Sequence, residues 1–431
     1  MSVQSAPPQQ QQRATPEGNA RQLVAEAFSG TPGRMRIYGA IAVALCLVFG
    51  VLGFLFVRHL DDTLGAERAH AAQLVRIQTI RTSVVKADAA ATNAFLVGGL
   101  EPASVRQSYT DGIDTAAESI AAASSAEPSD SATLQAVNKE LATYTGLIES
   151  ARANNRQGFP IGAAYLRQAS GSIENNVLPP LADLANKERQ RVNAASDSAY
   201  HTYNAIFWLL VVALILLIAT QVWLFRRTRR IINPPLAAGT AIVLVFGAIA
   251  LAVLASTMDQ SNKAKNGPYA QTVALATARI NGFDAKSAES LTLIARGSGQ
   301  AYEQRFQTVA ADADSALAGL SSAQTGSGER TTSGDFRAYV TQHVQVRKDD
   351  DGGNWDAAVA LATGSGKANQ AFATFDSASG EALSARAKQL SDDLAHARGL
   401  LLALSWLLLV GGVVAAFLAR RGIARRLREY R

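Results

Sequence analysis

The chain has 431 residues, 48% of them hydrophobic, and a net charge of +6. The basic excess lies in three short stretches: residues 1–36 carry +2, residues 226–230 carry +4, residues 420–431 carry +5, and the rest is net negative. A nucleic-acid-binding protein would place its basic residues on one face of a folded domain, so this distribution excludes nucleic acid as a partner. The single cysteine, Cys46, excludes a disulfide or a cysteine-based zinc site within one chain.

Four uncharged apolar runs predict four membrane-spanning helices. Each run is about as long as a helix that crosses a hydrocarbon core of ~30 Å. The first run begins too far from Met1, and is too long, for a cleaved signal peptide, so we expect it to remain as an anchor. The runs are Ile37–Val57, Ala205–Phe225, Leu236–Ala255 and Gly399–Ala419.

A basic elbow, residues 226–235, separates the second run from the third. Arginine is costly to move across a membrane, and cytoplasmic loops carry an excess of it. We therefore expect a multi-pass plasma-membrane protein with a cytoplasmic elbow, cytoplasmic termini and two large segments outside the cell. The elbow is also expected to contact anionic lipids or to transmit a signal, through Arg226, Arg227, Arg229, Arg230, Pro234 and Pro235.

The segment after the first run has the apolar spacing of a helix-bundle seam. Apolar residues recur every three or four positions, which is typical of one buried helix face. Turns are predicted at Gly98–Gly99, Glu127–Ser129 and Arg156–Pro160, and Pro179–Pro180 should kink or interrupt the last helix. These features predict a four-helix bundle whose first seam consists of Leu74, Ile77, Ile80, Val84, Ala87, Ala91 and Phe95.

The plan repeats after the elbow, which predicts an internal duplication. Residues match at a spacing of 198 for Arg81 and Arg279, and at 195 for Tyr144 and Tyr339. The slow drift in spacing indicates small deletions in loops. The second seam is predicted to consist of Val273, Ala276, Ile280, Phe283, Ser287, Leu291 and Ile294.

Together these patterns predict an all-α membrane protein with four transmembrane helices and two tandem extracytoplasmic four-helix bundles. The N-terminal stretch is rich in Gln, Pro, Ala and Gly, a composition that cannot bury a core. The predicted boundaries are a disordered tail at 1–35, transmembrane helices at 36–58, 205–225, 236–256 and 399–419, bundles at 59–204 and 257–398, the elbow at 226–235 and a basic tail at 420–431.

No pattern in the sequence is typical of a catalytic, metal or cofactor site. The five histidines are scattered and form no paired-ligand spacing. Residues 364–367 lack the first glycine and the Ser/Thr of a phosphate loop, and residues 349–354 lack the alternating oxygen ligands of a calcium loop. We therefore expect a protein that is not an enzyme and that needs neither a metal nor a cofactor.

The densest polar stretch, residues 144–170, is the candidate binding site. Its arginines could clamp a carboxylate and its tyrosines could line a pocket, or the stretch could be a solvated bundle tip with tyrosines packed at the rim. It is also the natural docking face for a soluble partner. The candidate residues are Tyr144, Arg152, Arg156, Tyr165, Arg167, Tyr339 and Arg347. The last two, Tyr339 and Arg347, are the residues that the second copy keeps.

The order of span, four-helix bundle and span resembles the sensor half of bacterial chemoreceptors. Two such units in tandem resemble more closely the GlnX-like family of actinobacterial membrane proteins, on the strength of Arg152–Ser170 and the elbow RRTRRIINPPL. Members of that family are encoded beside an amino-acid-binding lipoprotein and the serine/threonine kinase G. The resemblance implies that a lipoprotein senses glutamate or related amino acids outside, and that the membrane protein passes this state to the kinase.

These observations favour a non-enzymatic transmembrane signal relay, with a homodimer as an open option. A direct chemosensor that binds a small ligand in the bundle, and an envelope scaffold, are the alternatives. A transporter is less favoured because the apolar runs contain no charged residue and few polar ones, whereas ionisable groups within the membrane are the usual mark of a transport path.

Overall fold

The computed structural model describes residues 30–97, 101–228, 233–320, 332–396 and 398–428. These residues are 93% helical and form no strand. The predicted tail up to residue 29, and Arg229 and Arg230 of the elbow, lie outside the described residues. The all-α class predicted from the sequence is therefore confirmed.

Twelve α-helices, one 3-10 turn and two π-helical turns make up the described residues. The 3-10 turn is Pro128–Asp130, and the π-helical turns are Ile173–Val177 and Lys265–Tyr269. The α-helices are α1 Gly30–Val97, α2 Ala103–Ala126, α3 Ser131–Arg156, α4 Ile161–Ser172, α5 Leu178–Thr228, α6 Pro234–Ala264, α7 Ala270–Ile294, α8 Gln300–Ala318, α9 Thr332–Asp351, α10 Trp355–Ala362, α11 Lys367–His396 and α12 Leu401–Arg428.

Four helical stretches are long and apolar enough to cross a membrane. They are Met35–Val97, Ile161–Arg226, Pro234–Ile294 and Trp355–Arg425, and their most apolar windows have mean hydropathies between 2.5 and 2.9. Each contains one of the four runs predicted from the sequence, so the four candidate spans are confirmed. The side of the membrane on which each terminus lies stays a prediction.

The chain divides into two compact units. The span unit contains residues 1–62, 199–257 and 398–431, and the bundle unit contains residues 63–198 and 258–397. The four apolar runs fall in the span unit. The helices of both predicted bundles fall in the bundle unit, where we call those from 63–198 the first helical set and those from 258–397 the second.

Within the bundle unit, α1 is buried on two faces. The predicted seam is confirmed, since Ile77, Ile80 and Val84 are fully buried in the core of the first set. Val85 and Ala89, on another face of the same helix, belong to the core of the second set with Ile280 and Phe283 of α7. The one-sided seam that the sequence predicts is thus only half of the buried surface of α1.

The interruption predicted at Pro179–Pro180 lies just before the two prolines. The chain there forms the π-helical turn Ile173–Val177, and the two prolines follow directly after it, in the first residues of α5. The second π-helical turn contains a proline as well, Pro268. Wide turns of this kind accommodate a missing i→i−4 hydrogen bond.

In the span unit, α1 and α12 approach each other through glycine. A Cβ on Gly412 would lie 2.6 Å from Gly50 Cα and 2.8 Å from Cys46 O, so no larger residue fits without displacement. Small residues at such crossings allow backbones to pack closely within a membrane. Nearby spans are also joined by a hydrogen bond from Gln221 Nε2 to Thr240 Oγ1 at 2.6 Å.

We expect Gly412→Ala to lower the thermal unfolding midpoint of the full chain in detergent, because the added methyl group collides with the α1 backbone. Gly146→Ala is the matched control, since a Cβ there meets nothing within 4 Å. Replacing that exposed helical glycine should leave stability unchanged or raise it by about 0.5–1 kcal/mol. Equal midpoints for the two variants would contradict the close crossing of α1 and α12.

Candidate functional site

The polar stretch singled out in the sequence forms the junction between α3 and α4. The helix α3 ends at Arg156, and Gly158 turns the chain with φ of 72°, a backbone conformation that favours glycine. The Phe159 N–H donates to Asn154 O at 2.9 Å and closes the turn. A second turn, between α9 and α10, uses Gly353 with φ of 80°, 195 residues later.

A small cleft of about 70 Å³ lies beside this turn. Its walls come from Glu101 and from the helices α1, α2, α3 and α4. The volume is enough for a carboxylate group or a few water molecules. We call it the tip cleft. Its polar lining consists of Glu101, Arg106, Arg152, Asn155 and Arg156, and its apolar lining of Ala91, Ala94, Phe95, Ile148, Ala151 and Leu166.

Arg152 already holds two carboxylates of its own chain. Its guanidinium donates from Nη2 to Glu101 Oε1 at 3.0 Å and from Nη1 to Glu149 Oε1 at 2.7 Å. It also lies over the ring of Tyr109, with Cζ 4.2 Å from the ring centroid. Burial alone would lower the pKa of Arg152, but the hydrogen bond with Glu149 and the charge of Glu101 raise it. Arg152 therefore fixes the cleft wall.

Two other arginines leave the tip cleft positively charged. Arg106 and Arg156 are exposed, and neither guanidinium has an ion-pair partner among the described residues. Next to them, Phe159 and Ile161 are 53% and 55% exposed. The tip thus presents two available cations beside two apolar side chains, which suits a partner surface with a carboxylate among apolar residues.

The structure separates the other predicted residues of the first set from the tip cleft. Tyr144 is fully buried in the core, with its ring centroid 6.4 Å from that of Tyr109. Tyr165 packs partly buried against the same core. Arg167 is exposed, and its charge acts on Tyr302 of α8. Only Arg152 and Arg156 of the predicted residues line the tip cleft.

In the second set, five charged or titratable side chains form a buried to partly buried network. Lys286 Nζ lies 2.7 Å from Glu289 Oε1, and Glu289 Oε2 lies 2.8 Å from His343 Nδ1. His343 Nε2 lies 3.1 Å from Glu303 Oε2, which is 3.3 Å from Arg347 Nε. The predicted residue Arg347 is thus the outer end of a network that the sequence analysis missed.

One signal in the sequence pointed to this network. Tyr339, His343 and Arg347 are spaced four residues apart and therefore lie on one face of α9. His343 is stacked on Phe306, with ring centroids 3.4 Å apart. Burial alone would lower the pKa of His343, but its hydrogen bonds to Glu289 and Glu303 raise the pKa overall. The acidic partners lie on α7 and α8, so no local pattern could indicate them.

Glu289→Gln should destabilise the bundle unit by about 3–5 kcal/mol, because it leaves Lys286 buried without a counter-charge. Arg337→Gln is the control, since the pair of Arg337 with Asp314 is solvent-exposed and such pairs contribute about 1 kcal/mol or less. Chemical denaturation of the full chain measures both. Losses of equal size would contradict the buried network.

The two helical sets meet at a group of carboxylates around Asp88. Asp88 is buried, accepts from Ser287 Oγ at 2.6 Å and from Ser170 Oγ at 2.8 Å, and has no basic partner among the described residues. Burial raises its pKa, despite these two hydrogen bonds. Close by, Arg305 joins the sets, because it lies 2.8 Å from Glu174 Oε2 and 2.8 Å from Asp284 Oδ2.

Glu174 gives this junction a dependence on pH. Burial raises the pKa of Glu174 to about 7, although Arg305 acts to lower it. A carboxyl group whose pKa is raised on folding stabilises the fold at low pH, and this contribution is lost as the pH rises through the folded-state pKa. For Glu174, the loss falls between its ordinary pKa of 4.5 and its folded-state pKa of about 7.

We therefore expect the unfolding free energy to fall by about 2.5 kcal/mol between these pH values because of Glu174. Glu174→Gln should flatten this part of the stability curve. Glu118→Gln, which removes an exposed carboxylate of α2, is the control and should leave the shape of the stability curve unchanged. Denaturation of the full chain at a series of pH values measures the slopes. A slope unchanged in Glu174→Gln would show that the group does not titrate there.

These features define a class: a membrane protein with four candidate spans and a helical unit that carries a charged cleft and a buried polar junction. Residues 63–197 match the family model described as the actinobacterial sensor domain. The match fits an actinobacterial sensor membrane protein and indicates a sensing or signalling role. It covers the tip cleft, Asp88 and Glu174. No curated protein and no solved structure matches the chain.

Proposed function

We propose that the chain is a non-enzymatic transmembrane signal relay of the GlnX-like kind. In this proposal an amino-acid-binding lipoprotein of the glutamate or glutamine type docks outside, and a serine/threonine kinase receives the signal in the cytoplasm. The observation that carries the proposal is the sensor-domain match over residues 63–197. Two of the helices in that segment, α1 and α5, also contain apolar runs of candidate membrane spans.

The tip of the first set is the proposed docking surface for the lipoprotein. Arg106 and Arg156 supply charge that is not used within the described part of the chain, and Phe159 and Ile161 supply exposed apolar area. Electrostatic attraction would speed the encounter, and buried apolar side chains would hold the complex. The partner surface should therefore present an acidic residue flanked by apolar ones.

The junction between the helical sets supplies contacts that two states could use differently. A relay requires an interaction that differs between its states, and small shifts of packed helices are a common form of such a change. The ion pair of Arg305 and Glu174 joins the two sets and is only partly buried. A docked partner that moves α4 relative to α8 would therefore change this pair.

The basic elbow is the proposed cytoplasmic end of the relay. Arg226 is exposed, α5 continues to Thr228, and α6 begins at Pro234, which lies in the first turn where proline is favoured. Basic residues at this position would contact anionic lipid headgroups. The kinase would then bind beside a membrane-anchored elbow.

In-cell crosslinking followed by affinity purification and mass spectrometry tests the relay, with and without glutamate. We expect recovery of a solute-binding lipoprotein and a kinase, with yields that change with glutamate. The double variant Arg156→Glu/Phe159→Ser should no longer recover the lipoprotein, while its thermal unfolding midpoint stays unchanged. Arg386→Glu, a partly exposed arginine of α11 that does not line the tip cleft, is the control and should retain the lipoprotein.

Recovery of the membrane protein alone would overturn the relay. Full lipoprotein recovery by the Arg156→Glu/Phe159→Ser variant would overturn the docking surface but leave the relay in place.

A further inference from the structure

A second and larger cleft lies within the bundle unit, between the two helical sets. Its volume is about 420 Å³, within the range of about 300–1,000 Å³ that is typical of small-molecule sites. The first set contributes residues of α1 and α2, and the second set contributes residues of α7 and α11. We call it the inter-set cleft.

Basic groups outnumber acidic groups around the inter-set cleft. Lys86 Nζ and Arg279 Nη2 share the carboxylate of Asp376, at 3.3 Å and 2.6 Å. Arg81, next to the lining residue Gln78, has no carboxylate partner among the described residues, and its Nε is buried without an acceptor. Asp111 is the one acidic residue of the lining.

Lys86 is the basic group that a ligand can reach. Its side chain is 35% exposed, whereas that of Arg279 is 8% exposed and is held by Asp376 and Ser379. The ammonium group makes one ion pair at 3.3 Å and can donate three hydrogen bonds. It therefore retains donors for an anion in the cleft.

The neutral lining also offers hydrogen-bond donors. Gln78 Oε1 accepts from Arg81 Nη1 at 3.1 Å, which leaves the amide N–H groups of Gln78 available. The hydroxyl groups of Ser83, Thr115 and Ser384 line the cleft as well, and none of them donates to another described residue. A site with an accessible ammonium group, an amide donor and several hydroxyl groups is complementary to a carboxylate.

We propose that the inter-set cleft binds a small organic carboxylate, with the carboxylate held by Lys86. The remainder of the ligand lies among Gln78, Thr115 and Ser384, which come from α1, α2 and α11. Because the lining comes from both helical sets, the bound ligand stabilises the arrangement in which the cleft is formed. The inference rests on the sensing role proposed above, but it concerns a site separate from the tip cleft and requires no partner protein.

The test is calorimetric titration of the purified full chain in phosphatidylcholine nanodiscs, with no partner present. The probes are succinate, glutarate, the neutral analogue succinamide and inorganic phosphate. We expect at least one of the two dicarboxylates to bind, with affinity at least tenfold above that of succinamide and of phosphate. Equal binding of succinamide, or binding of phosphate alone, would overturn the carboxylate assignment, as would the absence of heat from both dicarboxylates.

Variants locate the site. Lys86→Gln should weaken dicarboxylate binding at least tenfold, and Lys139→Gln, which removes an exposed lysine of α3, should not. Ser384→Leu narrows the cleft without touching a charge and should also weaken binding, which keeps the proposal testable if Lys86→Gln does not fold. Unchanged affinity in the folded variants would place the ligand elsewhere and overturn the proposal. Neither result bears on lipoprotein recovery, so failure of this site and failure of the relay are distinguishable.

Discussion

The contact between α1 and α7 is the constraint on which the bundle unit depends. Each helix belongs to the core of one set and also contributes to the core of the other, since Val85 lies in the second core and Leu291 in the first. At the centre of this contact, the buried Asp88 is bonded to Ser287 of α7. A buried carboxylate without a basic partner is costly unless it is hydrogen-bonded or protonated, so this contact tolerates little change in geometry.

Local sequence patterns predicted the features of the fold that recur along a single helix. The seam at Ile77, Ile80 and Val84 followed from helical periodicity, and the spans followed from uncharged length. The second buried face of α1 could not be predicted in this way, because alanines such as Ala89 are also common on solvated surfaces. The candidate site was predicted in part: Arg152 and Arg156 do line one cleft, but their partner Glu101 and the exposed Arg106 come from other segments. Long-range pairs of this kind leave no periodic signal.

Residues of the two helical sets correspond at a spacing of 198 in the sequence, but the sets differ in their buried charges. Arg279 is paired with Asp376, whereas Arg81, the residue 198 positions earlier, has no carboxylate partner among the described residues. At the same spacing, Asp88 stands where the second set has Lys286, which is paired with Glu289. The second set therefore satisfies its buried charges internally. The first set keeps charges that a proton, an anion or a partner could satisfy, and it is the set that matches the sensor-domain family.

The free energies involved favour a change of state that is driven by several weak interactions rather than by a single strong one. Moving a two-state equilibrium from 1:99 to 99:1 requires about 5.5 kcal/mol of differential interaction, and titration of one carboxyl group such as Glu174 contributes only about 2.5 kcal/mol. A partner docked at the tip cleft would act on α3 and α4, and a ligand in the inter-set cleft would act on α1 and α7. The helix α4 is continuous with the π-helical turn that carries Glu174, and α1 and α7 carry the bonded pair of Asp88 and Ser287. Both inputs would therefore reach the contact between the sets. Signals that are individually too weak to switch the unit would therefore add at the Asp88 junction.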